Sequence, residues 1–299
     1  MNMLPKYASV SFGKDSTCML LLLIEKKCPP DEVVFFNNGV EYQAIYHVRD
    51  MLVPYIESQG ICYTELHPEK PFLWNMLERP VCKRGTNTIH KYGYSWCGGT
   101  CRWETSMKLT ALKKHTSKGR DYVGLAANET QRFAKENRPN RLLPLVEWGM
   151  TEKDTLAYCY SMGIHWEEDG IRLYDLLDRV SCWCCGNKNL KELRNMFLYM
   201  PDYWEKLKQL QQKTPFPFRR NEKLTIFDLE ERFRKEQKGK AIFPQPFISS
   251  GKGNSVSLLS CKVGALRVCE KISAPSLRFG QYFSDKTLHD RDTELRKAR

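Results

Sequence analysis

The hydrophobic and polar positions change period several times along the chain, and each change marks an element. Tyr7 to Val10 is a short strand-like run that meets a Gly-containing segment, Ser11 to Ser16, and then an apolar stretch to Lys27 that predicts a helix. Val33-Val34-Phe35-Phe36 is continuous, the pattern of a strand covered on both faces in a parallel sheet, and Asn37-Asn38-Gly39 closes it as a turn. Apolar residues at Ile45, Val48, Met51, Leu52, Tyr55 and Ile56 predict a helix over 42–59, which Pro54 is expected to bend or interrupt. Ile61 to Leu66 predicts a third strand, Tyr122 to Ala126 a fourth and Leu142 to Val146 a fifth, with a helix over 103–115. Thr151 and Asp154 have capping-box spacing and open a further helix that Gly163 closes. Pro80 to Trp96 has no period and is expected to be a loop over a site. The alternation predicts an α/β fold, a doubly wound and mostly parallel five-stranded sheet. After Cys185 the period is purely helical, over 190–199, 201–213 and 226–237, and it is lost from Gly239 onward. The expected organisation is therefore an α/β domain over 1–186, a helical C-terminal extension over 187–237, and a tail over 238–299.

Charge narrows the partners. The 299 residues carry 47 Lys+Arg against 35 Asp+Glu, a net charge of +12, which favours an anionic partner such as a nucleotide, a nucleic acid or an acidic protein. From Glu236 to Arg299 there are 12 Lys+Arg and 6 Asp+Glu, so half of the excess lies in the tail. No apolar run approaches the about 18 residues that span a bilayer, and the N-terminus lacks a secretory pattern, so a cytoplasmic protein away from membranes is expected. In a reducing compartment the 12 cysteines point to buried thiols, metal ligands or catalytic groups in preference to disulfides.

The segment Ser11-Phe12-Gly13-Lys14-Asp15-Ser16 joins a strand to a helix N-terminus. Backbone N–H groups and the helix dipole favour an anion there, and Gly13 permits close approach. Lys14 adds positive charge, Ser11 and Ser16 add hydroxyls, and Asp15 beside phosphate makes sense with Mg²⁺ present. The spacing is neither that of a Walker A loop nor that of a dinucleotide fingerprint.

Five cysteines fall in two tight groups, Cys97-x3-Cys101 and Cys182-Trp183-Cys184-Cys185, each ahead of a predicted helix. Cys97, Cys101, Cys182 and Cys185 form the best tetrahedral set, suited to Zn²⁺ or a [4Fe-4S] cluster, and leave Cys184 as a neighbour or a reactive thiol. His90 and His115 flank the first group. The basic and aromatic run Lys91-Tyr92-Gly93-Tyr94-Ser95-Trp96 either stacks a base or packs over the site.

The loop resembles the PP-loop of the adenine nucleotide alpha-hydrolase-like superfamily, usually Ser-Gly-Gly-x-Asp-Ser. Val10-Ser11-Phe12-Gly13 looks most like the phosphoadenosine phosphosulfate (PAPS) reductase branch. Asn38-Gly39-Val40-Glu41-Tyr42, the run from Gly124 to Arg132, and Pro144 to Trp148 with Thr151 to Asp154 resemble that family's later segments in order and spacing. The resemblance spans about residues 5–235. It implies an adenine nucleotide, ATP or a PAPS/APS-type compound, near Ser11, Phe12, Gly13, Ser16, Asn38 and Glu41. It also implies charge stabilisation by Lys14, Asp15 and an anion-facing Arg132. The expected activity is sulfur transfer or reduction with a cysteine-ligated metal centre. Alternatives are an AMP-forming ATP pyrophosphatase that thiolates a nucleic acid, and a non-catalytic nucleotide-binding partner of another protein; a sulfur-donor protein is a further expected partner. One departure stands out: sulfonucleotide reductases resembling this domain attack with a Glu-Cys-Gly cysteine near the C-terminus. Here Cys261 is followed by Lys-Val and Cys269 by Glu-Lys.

Overall fold

The computed structural model describes residues 4–96, 101, 105–134, 136 and 138–239. The chain enters through β1 (Lys6–Ser9) and α1 (Lys14–Glu25), then β2 (Glu32–Phe36), α2 (Gln43–Ser58) and β3 (Cys62–Leu66). A short helix α3 (Phe72–Leu77) leads into β4 (Pro80–Cys82) and β5 (Ile89–Tyr92), which are followed by α4 (Met107–His115) and β6 (Arg120–Val123). After α5 (Thr130–Phe133) come β7 (Arg141–Leu142), α6 (Pro144–Glu147) and α7 (Glu152–Ser161). β8 (Glu167–Glu168), β9 (Ile171–Arg172) and α8 (Leu173–Leu176) precede three closing helices, α9 (Leu190–Tyr199), α10 (Pro201–Gln212) and α11 (Ile226–Gly239).

The five-stranded sheet has the order β3-β2-β1-β6-β7 and every pairing in it is parallel. This is the α/β architecture that the alternating periodicity predicts. The uninterrupted apolar run of β2 is explained by what covers it. Val33 and Phe35 face the main core with Ala8, the α1 leucines and Ile45, Val48 and Leu52 of α2. Val34 and Phe36 face Leu112 of α4 on the other side. The chain winds outward from β1 to β3 and then crosses back to place β6 on the far side of β1. The order therefore reverses between β1 and β6, and in open α/β sheets the crevice beyond the carboxyl ends of such strands is where ligands bind.

Three expectations are corrected. Residues 80–96 hold an antiparallel ribbon, β4 with β5, paired from Pro80–Tyr92 to Cys82–Ile89. It shows no period-2 pattern because residues 82–90 are exposed on both faces. The fifth strand is only Arg141–Leu142, because Pro144 stands at the first position of a helix, where its missing N–H costs nothing. α2 runs on through Pro54, held by the buried side chains of Val48, Leu52, Tyr55 and Ile56.

The 187–237 extension packs into the same hydrophobic cluster as the sheet: Tyr203 Oη accepts from the Gln43 amide at 3.1 Å, and Leu193, Met196 and Trp204 belong to the main core. Of the basic tail assigned to 238–299, residues 240–299 lie outside the described residues. Among the described residues no helix is long and apolar enough to cross a membrane.

Candidate functional site

At the carboxyl end of β1 the chain turns on Phe12, a non-glycine residue at φ 54°. Its ring is fully buried against Phe35, edge to face with centroids 5.2 Å apart, and its carbonyl accepts from Trp166 Nε1 at 2.7 Å. Phe12 thus anchors the loop to the core. Ser16 closes the loop: its Oγ accepts from the Ser11 amide at 3.1 Å, lies 3.1 Å from Ser11 Oγ, and donates to the Gly13 carbonyl at 3.2 Å. Gly13 caps α1 in an extended conformation, and the Lys14 amide donates to Tyr174 Oη at 3.0 Å.

The segment leaving β6 comes down on this turn. A Cβ built on Gly124 would lie 2.7 Å from Ser16 Cα and 2.8 Å from its nitrogen, so only glycine permits the approach. The 124–132 and 151–154 segments both reach the loop. Asn128 Nδ2 donates to Glu152 at 3.2 Å and Asn128 Oδ1 accepts from the Glu152 amide at 2.9 Å. Glu152 in turn holds Lys14 Nζ at 3.1 Å.

Lys14 and Asp15, expected as mobile or metal-facing groups, are committed to this junction. Lys14 is buried and lies 2.9 Å from both Asp15 oxygens, and Thr155 donates to Asp15 Oδ1 at 2.6 Å. Burial pushes the Asp15 carboxyl up, with Lys14 and Thr155 pulling against it. Burial also raises Glu152, but Lys14 and Asn128 outweigh it and hold its carboxyl below the ordinary range. Arg132 sits exposed on α5 in an ion pair with Glu129.

A polar cavity of about 650 Å³ lies beyond the carboxyl ends of β1 and β2. Ser11, Glu41, Cys101, Cys182, Cys185 and Lys188 are among its lining residues. Three of the four expected ligand thiols therefore share one cavity with Ser11 of the 11–16 loop. Cys97 lies outside the described residues, and among the described residues no three His, Cys, Asp or Glu side chains are grouped closely enough to hold an ion. The thiol chemistry suits Zn²⁺ or an iron–sulfur cluster. Asn38 is buried and ties the wall together, with Nδ2 3.1 Å from Cys182 Sγ and 3.3 Å from Glu41 Oε1. Cys184 does not line the cavity. Burial pushes its thiol well above the ordinary value, which leaves it a poor nucleophile. His115 is bound to Glu32 at 2.7 Å and His90 to the Val81 carbonyl at 2.8 Å; neither lines the cavity.

The sequence reading missed Lys188. It is 2% exposed, its Nζ has no hydrogen-bond partner among the described residues, and it stands 5.1 Å over the Tyr42 ring. Burial lowers its pKa, while Cys185, Glu192 and Cys182 favour its charge. It stands just ahead of the capping box that Asn189 and Glu192 form on α9, and no local pattern in the sequence marks it as buried. Tyr174, Trp166 and Thr155, which brace the loop, carried no sequence signal of that role.

No family model matches the chain. It is similar to a protein of Methanocaldococcus jannaschii described as "Uncharacterized protein MJ0066", with 24% identity over 230 residues, 68% of this chain and 40% of that one. The chain thus spans about two fifths of the length of the curated relative it matches.

Proposed function

We propose that this chain is a PP-loop enzyme of the PAPS reductase type, binding ATP or a sulfonucleotide beyond β1 and acting in sulfur transfer or reduction. The observation that carries the proposal is the shared cavity: Ser11 of the loop, Glu41, three thiols and a buried lysine without a hydrogen-bond partner among the described residues all line one space. A buried ammonium that lacks a partner is costly, and an anion delivered by a ligand removes that cost. In this scheme the hydroxyl of Ser11 and the first-turn amides of α1 other than that of Lys14, which Tyr174 holds, receive phosphate oxygens. Lys14, Asp15, Glu152 and Thr155 hold the turn rigid beneath them, while Arg132, exposed and paired with Glu129, is not among the cavity's lining. Cys101, Cys182 and Cys185, with Cys97, would hold the metal, which when bound supplies either a structural tie or electrons.

Titration calorimetry with ATP and with PAPS, paired with assays of pyrophosphate and sulfite release and with metal analysis after anaerobic purification, tests the proposal. Binding of at least one nucleotide, weakened about tenfold or more by Lys188→Met, is the expected result. A folded protein that binds neither nucleotide would overturn it. Nucleotide binding without either released product would leave the non-catalytic alternative in its place.

A further inference from the structure

The β4–β5 ribbon is the part of the molecule that the nucleotide crevice leaves unexplained. From Arg79 to Trp96 the sequence has no Asp or Glu, while Arg79, Lys83, Arg84 and Lys91 are cations. Residues 82–90 are exposed, and so are Tyr92 at 62%, Ile89 at 44% and, alongside the ribbon, Phe216 at 41%. A tip so polar and cationic needs no rigid support for its own stability, yet its base is firmly braced. The Arg79 guanidinium lies 5.8 Å from the Trp74 ring and 5.3 Å from the Tyr94 ring, and Lys91 Nζ stands 5.4 Å over Phe216. Ser95 Oγ meets Thr214 Oγ1 at 3.1 Å, and Arg220 donates to the carbonyls of Tyr94 and Trp96 at 3.2 and 2.6 Å.

Behind the same helix, α3, lies a second cavity of about 700 Å³ at the carboxyl ends of β2 and β3. Phe72, Leu73 and Trp183 give it apolar and aromatic walls, and His67, Lys206 and Lys213 stand among its lining. Two stretches of chain link its walls to the base of the ribbon. Phe72 and Leu73 lead directly to Trp74 on α3, and Lys213 leads to Thr214 and Phe216. It also adjoins the cysteine cavity: Asn38 and Trp183 line one, and Glu41 and Cys182 line the other.

Cations spaced along a ribbon, exposed aromatic rings and a ring-lined cavity at its foot match single-stranded nucleic acid, in which backbone charge and base stacking are the two sources of affinity. We propose that the ribbon and this cavity bind single-stranded nucleic acid. The phosphate backbone passes over Lys83 and Arg84, one base stacks on Tyr92, and an unstacked base enters the cavity against Trp183. Neither Lys83, Arg84, Tyr92 nor Trp183 lines the cysteine cavity, so this surface stands whether or not a nucleotide binds beyond β1.

Fluorescence anisotropy of the full chain with labelled, unstructured single-stranded RNA and DNA of mixed sequence, over a range of salt, tests this. Tight binding at low salt that falls steeply as salt rises is expected. The double substitution Lys83→Ala with Arg84→Ala lowers the slope of log K against log salt by about 1.4, at about 0.7 per phosphate contact. Tyr92→Ala weakens binding about fivefold or more at an unchanged slope, as expected for loss of a stacking platform. All three positions are exposed, so an unchanged melting temperature is expected to accompany each loss. Trp183→Leu, with its melting temperature checked, weakens binding while keeping the slope. Polyglutamate competing as well as RNA would assign the ribbon to an acidic protein and overturn the proposal. Preference for duplex over single strand, or ribbon variants that bind like the unaltered chain, would overturn it too. RNA and DNA bound alike supports backbone and stacking recognition; RNA bound alone supports it with the 2′-hydroxyl read in addition.

Discussion

Phe12 offers a test in which two physical terms of opposite sign meet at one residue. It is fully buried and also sits at φ 54°, where an L side chain costs about 1–2 kcal/mol. Replacing it by Ala removes the ring packed on Phe35, a change that typically costs about 3–5 kcal/mol, and leaves a Cβ in the strained conformation. Replacing it by Gly loses the same ring but also relieves the backbone. At an ordinary φ, Gly is the worse residue by about 0.5–1 kcal/mol, whereas at positive φ the order inverts. Phe12→Gly is therefore expected to be more stable than Phe12→Ala by about 1 kcal/mol, with both well below the unaltered chain. For a chain of this size that separates the two melting temperatures by about 2–4 °C. Urea unfolding at fixed temperature, followed by far-ultraviolet circular dichroism, measures both differences. Phe12→Ala matching or exceeding Phe12→Gly in stability would refute the reasoning, because it would mean that the turn does not hold φ positive in solution.

Gly124→Ala probes the contact between β6 and the phosphate loop. The added methyl would sit 2.7 Å from Ser16 Cα, so one backbone must shift and a loss of about 1–3 kcal/mol is expected in thermal unfolding. An unchanged melting temperature would mean that the two segments do not touch. Acid stability reports on Glu136. Burial raises its carboxyl, but hydrogen bonds from Arg138 and Arg141 prevail and hold it at about 2. A depressed carboxyl means that the unfolded chain takes up the proton first, so this contribution is complete above about pH 4.5 and is lost as pH falls toward 2. Glu136→Gln should lower stability at pH 7 and flatten the decline between those values; a parallel acid limb in the variant would count against the ion pairs.

What could be read along the chain was whatever depends on neighbours in sequence. The strand character of Val33 to Phe36, the 190–199 helix and the Thr151–Asp154 cap follow from local period and local hydrogen bonding, and the structure contains all three. The β4–β5 ribbon escaped because a hairpin exposed on both faces carries no alternation, and the fifth strand was overextended because apolar residues around Pro144 suit a buried helix equally well. The 11–16 loop was legible as a turn between strand and helix. That its lysine also reaches Glu152, and that the crowded Gly124 presses on Ser16, was decided by segments more than 100 residues away. Lys188 is the clearest case. In sequence it is one lysine among many, and only packing against Tyr42, with Cys182 and Cys185 on the same cavity, makes it a buried amine that lacks a hydrogen-bond partner among the described residues. Periodicity records which face of an element is apolar; it does not record which faces meet, and the cost of burying a polar group depends entirely on what it meets.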